Sequence, residues 1–287
     1  MCSAILNQCK TITIKTTKWG EGDIKDLLSK DYGEHSITLD VSGLDLRKIG
    51  KSMNGMFFGC NALTKIVLGE NWDTENVTDM RDMFCGCKKL TEIVGLDNWN
   101  TKNVKNMSNM FSGCENLIKI EGLKGWNTEN VTDMSFMFYG CNKLKEIKGI
   151  NNFVTGNVTN MCYMFSGCKA LTEIEGLEKW NTSKVTDMNL MFYRCEKLEK
   201  LPDIYKWNTS NVTNMSGMFM ECKNLIKIVG LDNWNTKNVK NMNLMFSECK
   251  ALTEIEGLEK WNTKNVKDMG NMFSGCTKLT NIPNKFK

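Results

Sequence analysis

Proline is almost missing from this chain: Pro202 and Pro283 are the only two in 287 residues. No Pro/Gly/Ser-rich linker interrupts it either, so nothing marks a division into independent units. Histidine occurs once, at His35, which leaves no Ser-His-Asp or Cys-His pair to build a nucleophilic site. A phosphate loop and a dinucleotide fingerprint are both absent, and no enzyme chemistry or cofactor is expected. No stretch approaches the roughly 18 apolar residues of a membrane span, so membrane insertion is not expected. Charge of one sign is lacking too. The 37 basic and 33 acidic side chains are interspersed for a net +4, and without a concentrated basic stripe a nucleic-acid partner is not expected.

What the chain has is repetition. The phrase "LTEIEGLEKWNT" occupies residues 171–182 and returns at 252–263, while "IVGLDNWNTKNVKNM" stands at 93–107 and again at 228–242. These offsets are three and five times 27. Cysteine falls at positions 60, 87, 114, 141, 168, 195, 222, 249 and 276 without a slip, and the Met-Phe pair keeps step from Met56-Phe57 to Met272-Phe273. Tryptophan holds the same register, with Phe153 filling one turn. A constant period means that each unit stacks on the last in one way, and stacking makes the core that a single unit cannot. Apolar residues at 41% are enough for it.

Within a unit, "LTEIEGL" offers Leu171, Ile174 and Leu177 as inward positions, as in leucine-rich repeats. "NVTDM" reads as a second short extended piece. The intervening "MFYRC" or "MFSGC" is expected to form a tight helical or 3-10 turn that tucks Phe and Cys inside. The glycine after Ile, as at Gly95, Gly122 and Gly176, permits a bend closed to other residues. The expected fold is a right-handed, leucine-rich-repeat-like β-solenoid of nine 27-residue coils with parallel short strands about 4.8 Å apart. Residues 1–52 read as a small α/β cap, with strands over 11–19 and 35–46 and Ile24, Leu27 and Leu28 on one face of a helix. Residues 53–287 form the array.

The motif "NVTDMSFMFYGCNKL" at 130–144, with "WNTSKVTDM" at 180–188, resembles the BspA-like leucine-rich repeat surface proteins over about residues 50–283. The resemblance implies a cell-surface or secreted protein that works in adhesion or protein binding, with a host or matrix protein as one class of partner. The N-terminal "MCSAILNQCKTITIK" has no basic region and an apolar run of only three residues, so it does not read as an intact signal peptide. The same solenoid would also serve as an intracellular scaffold or effector. A third reading is self-assembly end to end through the C-terminus, where only Pro283, Lys285 and Lys287 protect the last coil.

The outward residues of the LTxIx segment vary against the constant frame: Lys65, Glu92, Lys119, Glu146, Glu173, Lys200, Lys227 and Glu254, beside Glu121, Lys148, Glu175 and Glu256. That pattern makes them the expected binding face. The rest reads as structure. Cys87, Cys114, Cys141 and Cys168 are spaced too far apart in sequence for a metal motif and behave as small buried hydrophobes. Phe111, Phe138 and Phe165 belong to the core. Trp99, Trp126 and Trp180 fit half-buried corners. Unbroken threonine and asparagine rows satisfy backbone groups at each turn. Cys2 and Cys9 could bridge in an oxidising compartment.

Overall fold

The computed structural model describes residues 11–15, 28, 35–44, 50–70 and 72–286. It is a parallel β-solenoid with a 27-residue coil. A four-stranded parallel sheet runs β1 (Thr11–Lys15), β2 (Ser36–Asp40), β3 (Leu63–Val67), β4 (Glu92–Val94). Two shorter parallel pairs follow, β5 (Lys119–Ile120) with β6 (Glu146–Ile147) and β7 (Lys227–Ile228) with β8 (Glu254–Ile255). Of the expected cap, β1 and β2 are described, and β2 joins the first repeat strand in one sheet. Leu28 is helical and buried. Cys2, Cys9, Ile24 and Leu27 lie outside the described residues.

Every coil contributes one layer of the core. In one of them Val104, Met107, Met110, Phe111, Cys114, Leu117, Ile120, Leu123 and Trp126 are all buried. The phenylalanines stack at 5.4–5.7 Å between centroids along the whole array. The tryptophan corner steps at 5.9–6.4 Å from Trp72 to Phe153 and again from Trp207 to Trp261, while Trp180 between them rests on Phe165 at 6.2 Å. Aromatic stacking at such distances adds to area burial.

The Met-Phe-x-x-Cys segment differs from the expected helical or 3-10 turn. Alternate N–H groups of one coil reach the next: Met107 donates to Asp133 O, Asn109 to Ser135 O, Phe111 to Met137 O and Gly113 to Tyr139 O. Those between them close tight turns, Met110 to Met107 O, Ser112 to Asn109 O and Cys114 to Phe111 O. A helix would spend all its N–H groups within its own coil. Here half of them bind the stack together, and the intercoil ladder outweighs the helical spacing of the apolar residues. Beside this segment, eight single bridges join Ser52, Asp79, Asn106, Asp133, Asn160, Asp187, Asn214, Asn241 and Asp268 in one unbroken parallel ladder.

A 3-10 turn does occur, one segment later. It begins after Gly95, Gly122, Gly149, Gly176, Gly230 and Gly257, all with φ of 84–96°. A Cβ on Gly149 would stand 2.4 Å from Lys124 N, so neither the backbone angle nor the space allows a side chain. Asp203 takes this place in one coil, after Pro202, and there no 3-10 turn forms.

The LTxIx side is looser than expected. Its strands shrink to two residues, and the segments at 171–175 and 198–202 join no strand at all. Pro202 offers no N–H to a ladder there. At the C-terminal end, Phe286 lies edge-on to Trp261 and Phe273. Lys285 Nζ donates to the carbonyls of Glu259 and Trp261 at 2.8 and 2.6 Å.

Candidate interaction surfaces

The charged strand row pairs with itself across coils. Lys65 meets Glu92 at 3.0 Å, Lys200 meets Glu173 at 2.8 Å, and Lys227 meets Glu254 at 3.1 Å and Glu256 at 2.5 Å. Lys148 bridges to Glu121 at 3.0 Å and to Glu146 at 3.9 Å, and Lys119 holds Glu121 at 3.2 Å. The two lysines around Glu121 hold its carboxyl below the usual range. These pairs are exposed, so solvent screens them and they add little to stability. Where coils part, shallow grooves open. One of about 320 Å³ brings Glu146, Lys148, Glu173 and Glu175 together, and another of about 440 Å³ collects Glu92, Lys119 and Glu121.

The cysteine ladder is fully interior from Cys87 to Cys249. Each thiol donates to the phenylalanine carbonyl 30 residues back: Cys87 to Phe57 O at 3.0 Å, Cys114 to Phe84 O at 3.2 Å, Cys141 to Phe111 O and Cys168 to Phe138 O at 3.1 Å. Burial pushes the Cys141 thiol up to about 12 and raises Cys114 and Cys168 as well, so these thiols stay protonated and unreactive. Trp126 Nε1 donates to Leu96 O at 2.9 Å and Trp180 Nε1 to Ile150 O at 3.4 Å, whereas Trp99 Nε1 has no partner. Trp99, Trp126 and Trp180 are all buried, as are Phe111, Phe138 and Phe165. The threonines and asparagines act internally too: Thr74 Oγ1 bonds both the N–H and the carbonyl of Asn100, and Asn130 Nδ2 donates to Lys102 O at 2.7 Å. Among the described residues no three His, Cys, Asp or Glu side chains converge as a metal site.

The turn side holds what the sequence reading did not single out. The second variable residue in Met-x-x-Met-Phe is left-handed in every coil. Gly55, Asp82, Asn109, Gly217 and Asn271 tolerate this. Phe136, Tyr163, Leu190 and Leu244, with φ of 53–57°, do not, and a bulky side chain there costs about 1–2 kcal/mol. Three of the four are consecutive and half-exposed. Phe136 stacks on Tyr163 at 4.5 Å, and Tyr139, 41% exposed, sits edge-on to both. Two coils beyond Tyr139, in the same register, Tyr193 carries the Arg194 guanidinium 5.0 Å from its ring centre. Burial raises the Tyr163 and Tyr193 phenols above their ordinary value. The signal was in the sequence: Phe, Tyr and Leu stand where other coils carry Gly, Asn or Asp.

The fold defines a solenoid repeat protein of 27-residue coils with parallel short strands. A family profile described as "Mycoplasma protein of unknown function, DUF285" matches residues 23–145, 51–172, 115–201, 141–229 and 199–287. The chain belongs to that family, and the BspA-like resemblance of its motif stands. Among solved structures it is similar to a leucine-rich repeat protein from Eubacterium ventriosum, at 17% identity over 96% of this chain and 92% of the other, TM-score 0.43. A leucine-rich repeat protein from Bacteroides ovatus is 17% identical over 93% and 77%, TM-score 0.40. A leucine rich cell surface protein from Faecalibacterium prausnitzii is 15% identical over 96% and 89%, TM-score 0.39. No curated protein matches.

Proposed function

We propose that this solenoid is a non-enzymatic binding module that captures a protein partner on the turn side of its middle coils. The observation that carries the reading is the row Phe136, Tyr163 and Leu190, half-exposed and held left-handed where neighbouring coils use tolerant residues. The intercoil hydrogen bonds hold this position left-handed, and residues kept in sparsely populated backbone regions cluster at functional sites. Tyrosine and arginine are the residues enriched at interface hot spots, and Tyr139, Tyr163, Tyr193 and Arg194 supply both. Adhesion is one use of such a module.

The charged strand row is the second reading, favoured by the groove that gathers Glu146, Lys148, Glu173 and Glu175. Its charges are largely answered by each other, so it offers a partner less. Capture from extracts of the source organism and of its surroundings separates the two surfaces. Immobilised wild type, Tyr139→Ala/Tyr193→Ala and Glu146→Lys/Glu173→Lys are compared by quantitative mass spectrometry. The expected result is a saturable partner lost by the tyrosine variant and kept by the charge-reversed one. Loss with the charge-reversed variant alone moves the site to the strand row, and no saturable partner at all removes the binding function.

A further inference from the structure

The aromatic cluster has a basic neighbour. A depression of about 350 Å³ is lined by Ile118, Asn142, Lys143, Lys145, Lys169, Ala170 and Lys197, four lysines and no acid. Lys145, Lys169 and Lys197 make no ion pair among the described residues, and Lys143 Nζ spends one bond on the neutral Asn116 amide at 2.6 Å. Of the acids nearby, Glu196 pairs with Lys223 at 2.9 Å and lies within the field of Lys169 as well, and Glu221 pairs with Arg194 at 3.0 Å. The chain passes from cluster to depression within three or four residues, from Tyr139 to Asn142 and from Tyr193 to Lys197. Ile118, 47% exposed, puts an apolar side chain among the lysines.

The strand row and this corner are built from the same residue types and differ in one respect. On the strand row the lysines lie beside glutamates of the same or a neighbouring coil and pair with them. At this corner four lysines of successive coils line one depression without an ion pair of their own among the described residues, and the one acid that feels them, Glu196, is already held by Lys223. Like charges gathered at close quarters repel one another, at a cost that a bound anion removes. The other flank of the cluster is acidic or neutral, with Asp133, Asn160 and Asp187 held in the bridge ladder. Burial raises Asp187 above its ordinary value. A ligand anionic all over would therefore meet repulsion on that side.

We propose, on the reading that the turn side of the middle coils is the binding surface, that its partner is an acidic segment of a protein bearing aliphatic or aromatic side chains. The apolar side chains rest on Phe136, Tyr163 and Leu190, and the carboxylates lie over Lys143, Lys169 and Lys197. Leu190 and Ile118 argue for protein over glycan, since branched aliphatic side chains give no flat face for a sugar ring, whereas they pack well on other aliphatics. Complementary charge speeds encounter and sets orientation, while the aromatic anchors hold the complex.

The test uses the full chain and four fluorescent probes at physiological salt. Three are 15-residue synthetic peptides: one of Glu and Asp with interspersed Leu and Phe, one with Lys replacing the acids, and one with Ser replacing Leu and Phe. The fourth is a heparin-derived octasaccharide. The acidic apolar peptide binds at least ten times more tightly than the other two peptides. Its affinity falls at least tenfold in Lys169→Glu/Lys197→Glu and, separately, in Leu190→Asn, whose near-ultraviolet spectra match the wild type. Equal binding of the acidic Ser peptide reduces the site to general electrostatics and overturns the proposal. So does binding of the basic peptide, no binding of any peptide, or octasaccharide binding that depends on Leu190. If tyrosine-dependent capture persists while the acidic peptide fails, the partner class is wrong and the binding surface stands. If capture does not depend on the tyrosines, both fall.

Discussion

Raising the pH should unfold this protein through its cysteines. Seven ladder thiols, Cys87, Cys114, Cys141, Cys168, Cys195, Cys222 and Cys249, have no exposed surface, and all have raised pKa values. Burial is the first cause at six of them; at Cys87 it is the bond with Cys60. Cys141 reaches about 12. An unfolded cysteine titrates near 8.5. Between those values the unfolded chain releases thiol protons that the folded chain keeps, so the unfolded state binds fewer protons and stability falls as pH rises. The contribution is complete below about pH 8.5 and drains away above it, at about 1.4 kcal/mol per thiol for each pH unit. Seven thiols together remove about 10 kcal/mol by pH 9.5, as much as the whole stability of many domains.

The assay is urea denaturation followed by tryptophan fluorescence at pH 7, 8, 9 and 10, with thiols kept reduced. The midpoint should hold to about pH 8 and then drop steeply. Replacing Cys141 and Cys168 by Ala should lower the midpoint at neutral pH and flatten the alkaline slope. A midpoint that stays level from pH 8 to pH 10 would refute the buried, protonated ladder.

Phe165→Ala empties a ring stacked on Phe138 and Phe192 at 5.6 Å on either side, and should cost about 3–5 kcal/mol in the same denaturation assay. A Trp126→Phe change gives up the Nε1 bond to Leu96 O and keeps the stacking that Phe153 also keeps, for a loss of about 1 kcal/mol. Reversing Glu146 and Glu173 to Lys breaks the exposed pairs with Lys148 and Lys200 and should lower the denaturation midpoint only slightly, the shift shrinking in added salt.

The core was legible because a strict period repeats every inward position: Val, Met, Phe, Cys, Leu and Trp each fall at one phase of 27 residues. The glycine bend was legible for the same reason. The path of the Met-Phe-x-x-Cys segment was not. Its apolar spacing is helical, and local rules place Gly or Asn, not Phe136 or Tyr163, in a left-handed backbone. Hydrogen bonds to the next coil decide that segment, and they exist only once coils are stacked. The strand segments were read as uniform, yet Pro202 and Asp203 break the pattern in one coil and pairing lapses around it. A consensus also hides its own exceptions. Phe136, Tyr139, Tyr163 and Tyr193 occupy positions that average to an unmarked x, so the aromatic cluster emerges only when the coils are compared at those positions.

The most direct test of the claim that the turn side bears the function separates stability from binding at the left-handed positions. Tyr163→Asn and Leu190→Asn each replace a strained residue with one that tolerates the conformation. Relief of about 1–2 kcal/mol offsets the loss of partial burial and, for Tyr163, of a ring stack worth about 0.5–1.5 kcal/mol. Stability should therefore stay within about 1 kcal/mol of the wild type or rise, while capture of the partner falls at least tenfold. Variants that lose stability and keep full capture would mean that these side chains serve the fold alone, and would contradict the account.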